Sequence, residues 1–388
     1  MSDAIRRMGY TVNRMSLTES DKRFHYQGKK VKITQIERMR VEIPYLERVR
    51  QHLQRGWNLG NRATDEDFRA NKSEYLRQWH LSEPPTARTS IYLVHIDEGL
   101  VGVGEGADIP ESKLVGYLGK SPFEFIMDDK VGALQIAFYD LMGQVVGLPS
   151  AQILGPSRSE VPIAYWSHSF PPEIMRQETK IAVESGFRAH KFKRRAHTDV
   201  IDQVESICEV CPEGYDITID ANCTFGTPER VIEIGTQLQR YPQVKCLESP
   251  IDQEDIDGYR RLKDSLGYPL AIHFGTPHPT ISLSSDAYDY YVLGGWASSI
   301  IRYANVISSA DKPFWMQMGF TGISAVFMVH LASVIPNASL AHVSLFQLLE
   351  HSLLLEPLRI SEGKAKVPEK PGIGIKIDMD AIDKYRVL

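Results

Sequence analysis

The chain is poor in cysteine. Cys208, Cys211, Cys223 and Cys246 are all it has in 388 residues, too few for a disulfide framework in a chain of this size. Cys208 and Cys211 form a C-x-x-C, but no second pair and no histidine pair completes a tetrahedral zinc site, so free thiols are expected. No apolar run is long enough to span a bilayer, and the opening MSDAIRRMGYTVNRMSL holds no apolar signal-peptide core. A cytoplasmic protein with no membrane partner is expected. Positive charge is not in excess either. The net charge of -5 supplies no basic field for nucleic acid. Low-complexity sequence is absent. What remains, 43% hydrophobic and 24% charged, is ordinary globular composition.

Two kinds of pattern divide the chain. Residues 31–42 alternate as a strand, and 90–105 read as two strands joined at Asp97-Glu98-Gly99. Between them, the polar segment 52–80 reads as a mobile loop followed by a helix. Residues 129–147 carry helical periodicity and stop at Gly147-Leu148-Pro149. The part from 31 to 155 is therefore α+β, after an extension over 1–30. From 156 to 360 the pattern alternates strand and helix. VPIAYWS, RAHKFK, DITID, VKCLES, PLAIHF, DAYDYYV, KPFWMQM and ASLAHV are the strands. Eight such units predict an α/β fold, a parallel (β/α) TIM-type barrel. The Pro/Gly-rich segment 361–388 is expected to return to the N-terminal part.

Chemistry recurs at the strand ends. Lys191-Phe192-Lys193, Asp220-Ala221-Asn222 and Glu248-Ser249-Pro250 follow one another at intervals of roughly 25–30 residues, the length of a βα unit. Lys191 and Lys193 are two apart on a strand, so both point to one face, into the barrel. Removing a weakly acidic proton next to a carboxylate needs a base beside the carbon and a cation where enediolate charge develops. A lysine beside a second lysine and a divalent cation has its charged form disfavoured, which leaves a neutral amine available. Hard carboxylate oxygens suit Mg²⁺.

These motifs, with DDKVGALQIAFYDLMGQVVGLPSAQILG, Asp289-Tyr-Tyr-Val-Leu-Gly-Gly and the VPEKPGIG ending, resemble the enolase superfamily, in its mandelate racemase / muconate-lactonizing group. The resemblance covers nearly the whole chain. It implies an α+β capping domain over a modified (β/α) barrel, Mg²⁺-assisted proton abstraction from a small-molecule carboxylate, and a homo-oligomer. It makes Lys193 the base, sets Lys191 on the substrate carboxylate, and makes Asp220 and Glu248 metal ligands. Asn222 shares the face of Asp220 and is a substrate-binding candidate.

The sequence departs from the family pattern in two places. The third metal ligand should end the next strand, where Pro269-Leu270-Ala271-Ile272-His273-Phe274 offers no carboxylate. Either His273 becomes a nitrogen ligand, or two protein ligands remain, or metal binding is lost. On the opposite face, Asp289 matches an aspartate that orients a catalytic histidine, but Val292 and Leu293 replace the lysine of muconate-type members. Gln317 stands where racemases carry histidine. His330 matches a helix histidine expected to be structural. The second acid/base is thus missing, which argues against racemisation by a Lys/His pair and for one-base chemistry: dehydration of a hydroxy- or sugar acid, or else a one-base racemase, epimerase or cycloisomerase. A degenerate barrel that binds carboxylates without turnover is the remaining alternative. Glu350 is a candidate for stabilising the enediolate. Trp166 and His168 are expected to line the pocket, His168 also as an alternative acid. Arg55, Trp57, Asn58, Asn61 and Arg62 form a candidate substrate lid.

Overall fold

The computed structural model describes residues 31–58, 63–83 and 85–387. The extension 1–30, together with Asn61 and Arg62 of the candidate lid, lies outside the described residues.

The N-terminal part is an antiparallel sheet with helices on it. Strand β1 (Ile33–Pro44) pairs with β2 (Thr86–Ile96), which turns at Gly99 into β3 (Val101–Gly106). The helix Leu134–Val146 lies directly against β3. Alternating glycines permit that approach, since a Cβ on Gly102 would meet the Ala137 carbonyl at 2.4 Å and one on Gly104 the Ala133 carbonyl at 2.8 Å. This helix is shorter than the 129–147 expected from periodicity. Gly132, with φ of 56°, separates it from a 3-10 turn at Asp129–Val131.

The segment from His52 also differs from expectation. Its first part continues a helix, Glu47–Asn58, rather than forming a loop, and the helix Asp65–Leu81 follows. Val49 and Leu53, one helical turn apart, are both fully buried. Arginine and glutamine at the intervening positions hide this narrow stripe in the sequence.

Eight parallel strands close into a barrel: β4 (Glu160–Ser167), β5 (Ala189–Lys193), β6 (Asp216–Asp220), β7 (Val244–Glu248), β8 (Leu270–His273), β9 (Tyr290–Leu293), β10 (Phe314–Met318) and β11 (His342–Ser344), with β11 pairing back to β4. A helix follows each of the first seven strands. A short hairpin, β12 (Ile360–Ser361) and β13 (Lys364–Lys366), adds to the start of β4. The last strand, β14 (Arg386–Val387), pairs with β1, so the C-terminal segment stitches the two parts together.

A buried carboxylate ties the sheet to the barrel. Glu105, at the end of β3, accepts bonds from the Thr321 and Ser324 amides (both 2.9 Å) and from Ser324 Oγ (2.8 Å). These are free donors at the start of the helix Gly322–Val334, where a negative group is favoured. No helix among the described residues is long and apolar enough to cross a membrane.

Candidate active site

Parallel pairing sets the chemistry in one layer. Across β5 to β8 the register runs Lys193, Asp220, Glu248, Ala271. Because strand side chains alternate, Lys193, Asp220 and Glu248 all enter the barrel at its carboxyl end, with Lys191 one layer below. Just past the acids the backbone turns sharply. Asn222, Cys223 and Ser249 adopt left-handed φ values of 45°, 66° and 44°, a conformation that concentrates at functional sites. The turn brings the Asn222 amide back to donate to Asp220 Oδ1 at 3.1 Å.

The four charged groups are buried together. Lys193 Nζ lies 2.5 Å from Asp220 Oδ2, and Lys191 Nζ lies 2.5 Å from Glu248 Oε2 and 3.1 Å from Asp220 Oδ2. Lys191 also donates to Gln317 Oε1 (2.8 Å), and its ammonium faces the Trp315 ring at 5.5 Å. The two lysines shift in opposite directions. Burial works against the charge of Lys191, but Glu248 and Asp220 override it and its pKa rises. For Lys193 burial, reinforced by the neighbouring Lys191, outweighs the attraction of Asp220, and its pKa falls. Burial also opposes ionisation of Asp220, yet Lys193 and Lys191 hold its carboxyl well below the usual carboxylate range.

Asp220, Glu248 and His273 offer one ligand atom each, all within 4.8 Å of one another, and among the described residues they are the one such cluster. His273 Nε2 lies 3.2 Å from Glu248 Oε1. Both Glu248 oxygens are buried, and their lysine and histidine neighbours are not aligned as hydrogen-bond donors. Buried carboxylate oxygens with no aligned donor are what a cation would satisfy, so these residues fit a divalent ion. Phe274, the other residue at the third-ligand position, is turned away. Its ring packs against Tyr291 and Tyr303, each at 5.3 Å between centroids.

The upper wall comes from the loop after β4 and from the cap. His168 is completely buried. Its Nδ1 accepts from the Ser169 amide (2.8 Å), which assigns the hydrogen to Nε2, and Nε2 has no partner. Burial, aided by Arg195 and Lys193, pushes its pKa well below the normal histidine value, so the ring is neutral. Trp57 of the cap and Trp166 of β4 both meet it edge-on, at 5.8 Å. Directly after β5, Arg194 pairs with Asp65 of the cap.

Two sequence candidates fall elsewhere. Asp289 sits at the amino end of β9, where it accepts from Lys263 Nζ (2.9 Å) and the Leu270 amide (3.0 Å). The strand begins only at Tyr290, because Asp286 takes a φ of 53° and ends any extended run through DAYD. Glu350 faces the cap, accepting from Arg50 Nη2 (2.8 Å) and the Tyr385 hydroxyl (3.4 Å). Its segment pairs with Tyr45 through Leu349, which fixes it on the outer seam between the two parts. Conversely, Arg195 was not singled out by sequence reasoning. It is buried, donates to Asn222 Oδ1 at 2.9 Å, and burial lowers its pKa to about 10. The signal available was the basic run Lys193-Arg194-Arg195 at a strand end, which marks the place but not which arginine turns inward.

A family model described as enolase C-terminal domain-like matches residues 174–274 and 288–381. The chain belongs to the enolase superfamily. Within it, the mandelate racemase / muconate-lactonizing group is the one that matches. An arabinonate dehydratase of Saccharolobus solfataricus is 23% identical over 66% of this chain and 72% of its own length. A D-xylonate dehydratase of Haloferax volcanii is 24% identical over 76% and 84%. Other relatives are racemases and epimerases. Among solved structures, an enolase from Pseudomonas fluorescens with bound magnesium, potassium and tartrate superposes with a TM-score of 0.71 at 18% identity, covering 92% of both chains. As a member of this superfamily, the protein is an enzyme of the lyase or isomerase type, and its architecture is the superfamily's capped barrel.

Proposed function

We propose that this enzyme removes the proton α to the carboxylate of a hydroxy- or polyhydroxy-acid and expels the β-hydroxyl as water. The observation that carries the reading is an asymmetry across the barrel. Lys193, on β5, is a buried amine whose charged form is disfavoured, while the opposite position, on β10, holds Gln317, an amide bonded to Lys191 that exchanges no proton. One base therefore serves both halves of the reaction. Lys193 Nζ takes the α-proton, the C–O bond to the β-carbon breaks, and the same proton leaves with the hydroxyl as water. The enol that remains ketonises to a 2-keto-3-deoxy acid.

Asp220 and Glu248, with His273, would hold a divalent cation, Mg²⁺ being the ion that hard carboxylate oxygens suit. Bound there, it would supply positive charge to the substrate carboxylate as the enediolate develops. The other residues bind and orient. Asn222 is fixed beside Asp220 by its own backbone amide and by Arg195 on its Oδ1, so that its side-chain amide would orient substrate oxygens. His168 is neutral and offers an Nε2–H, so it serves as a hydrogen-bond donor rather than the acid. Trp57 and Trp166 exclude water on the cap side.

The test is a panel of aldonic acids incubated with divalent cation in D₂O. Formation of 2-keto-3-deoxy acids is expected. Lys193→Met should lower the rate by about 10²–10⁴-fold, the usual contribution of a positioned base. Exchange of the α-proton without loss of water would replace dehydration by epimerisation, the second activity represented among the relatives. No exchange with any acid would sink the reading.

A further inference from the structure

We infer that the cation site selects a nitrogen-accepting first-row ion, of the Mn²⁺ or Co²⁺ class, over Mg²⁺, because its third ligand is the imidazole of His273. The inference rests on the reading that Asp220 and Glu248 bind a cation, and goes beyond it in naming which ion and why.

His273 is built into this place. Its backbone amide donates to Gln253 Oε1 at 2.9 Å. Gln253 is itself held twice, by Ser249 Oγ donating to Oε1 (2.7 Å) and by Nε2 donating to the Thr276 carbonyl (2.9 Å). Ser249 follows Glu248 directly, so one amide side chain sets the end of β8 relative to the acid on β7. The imidazole arrives with Nε2 3.2 Å from Glu248 Oε1, while Phe274 is committed to Tyr291 and Tyr303. No carboxylate competes for the place, since among the described residues the cluster contains two acids and this histidine.

The donor set decides the ion. Mg²⁺ is held almost wholly by charge and by oxygen, in a strict octahedron, and gives up its waters reluctantly. Neutral imidazole adds no charge, whereas Mn²⁺, Fe²⁺, Co²⁺ and Zn²⁺ gain progressively from nitrogen ligation. The local field sharpens the difference. Lys191 Nζ already lies 2.5–3.1 Å from both carboxylates, so part of their negative charge is answered before a cation arrives. An ion that depends on charge alone loses most in such a site.

The experiment is calorimetric titration of the chelator-stripped full chain with Co²⁺ and with Mg²⁺, on wild type, His273→Glu and Asp220→Asn. A carboxylate at 273 should tighten Mg²⁺ and narrow the Co²⁺/Mg²⁺ affinity ratio by roughly 10-fold or more. An unchanged ratio, with both ions still lost in Asp220→Asn, would overturn the inference and leave the cation-assisted reading standing. Binding of neither ion to wild type would overturn both. A measurement on wild type alone guards against misfolding of the variants. Spin-echo modulation of the Mn²⁺-loaded protein should show a directly coordinated imidazole nitrogen, and a Mn²⁺ signal without nitrogen modulation would overturn the inference whatever the variants do.

Discussion

Lys191 Nζ and Glu248 Oε2 stand 2.5 Å apart, with both side chains sealed from solvent. Such a pair costs several kcal/mol per ion to bury and is tolerable only while each charge keeps its partner. Without a bound cation, Lys191 is therefore the counter-charge that lets two carboxylates share the bottom of the site.

Lys191→Met should accordingly destabilise the cation-free protein by about 3–5 kcal/mol, the cost of stranding a buried charge. A divalent ion should return much of that loss. Thermal unfolding with chelator and with saturating cation checks this, and the rise in Tm on adding cation should be larger in the variant than in wild type. An equal rise in both would show that Lys191 does not balance the acids.

Gly56 lies under the ring of His168. A Cβ there would meet Nδ1 at 2.2 Å and Cε1 at 2.5 Å. Gly56→Ala should push the cap helix and the histidine apart, costing about 1–3 kcal/mol as an overpacked contact. Substrate KM should rise with it, because the His168 Nε2–H is displaced. Tm and steady-state kinetics on the same preparation test the pair of effects, and a variant normal in both would refute the assignment.

Glu105 satisfies three donors at the start of the helix Gly322–Val334 from inside a fully buried site. Burial is also the dominant influence on its own carboxyl, raising the pKa. Glu105→Ala leaves those donors without an acceptor and should cost about 2–3 kcal/mol. Denaturant unfolding would show the midpoint falling, with amide exchange accelerated first at the start of that helix.

Stability should decline as pH drops below 6.5. His330 accepts from the Ala151 amide at Nδ1 and donates from Nε2 to the Ile373 carbonyl. His342 does likewise with the Met316 amide and the Ala338 carbonyl. Each neutral ring is thus fully satisfied, and a second proton would set one N–H against another. Burial lowers their pKa values from 6.5 to about 4 and about 3. A depressed folded-state pKa gives stability that is intact above the unfolded value and lost as pH falls toward the folded one. Each histidine then contributes a slope of about 1.4 kcal/mol per pH unit in that window. Asp140 opposes them. Burial raises its pKa from 3.8 to about 6, so its contribution is lost as pH rises through that range. Glu105, its carboxyl also raised by burial, opposes them too. His190 and His197, which burial lowers to about 3, act with His330 and His342, and four histidines against two carboxyls leave a net acid loss between about pH 6 and 4. A Tm profile flat across that interval would contradict the assignment.

The sequence determined much of this by periodicity alone. Strand ends spaced by one βα unit placed Lys193, Asp220 and Glu248 in a common layer, because parallel pairing in a closed barrel leaves no other register that buries their apolar neighbours. The missing carboxylate after Pro269-Leu-Ala-Ile was also plain in the letters. Long-range contacts decided the rest. Whether His273 or Phe274 faces the acids depended on Gln253 and on two tyrosines from β9 and the helix Ala297–Ser308, none of them adjacent in sequence. Asp289 and Glu350 looked chemical in isolation, yet each met a cation, Lys263 or Arg50, that the fold brought to the outside. Arg195 acquired its significance only from burial, and burial turned His168 from a candidate acid into a neutral donor. Local pattern fixes which face a side chain takes, whereas desolvation and partner choice are properties of the assembled neighbourhood, and those set what a titratable group can do.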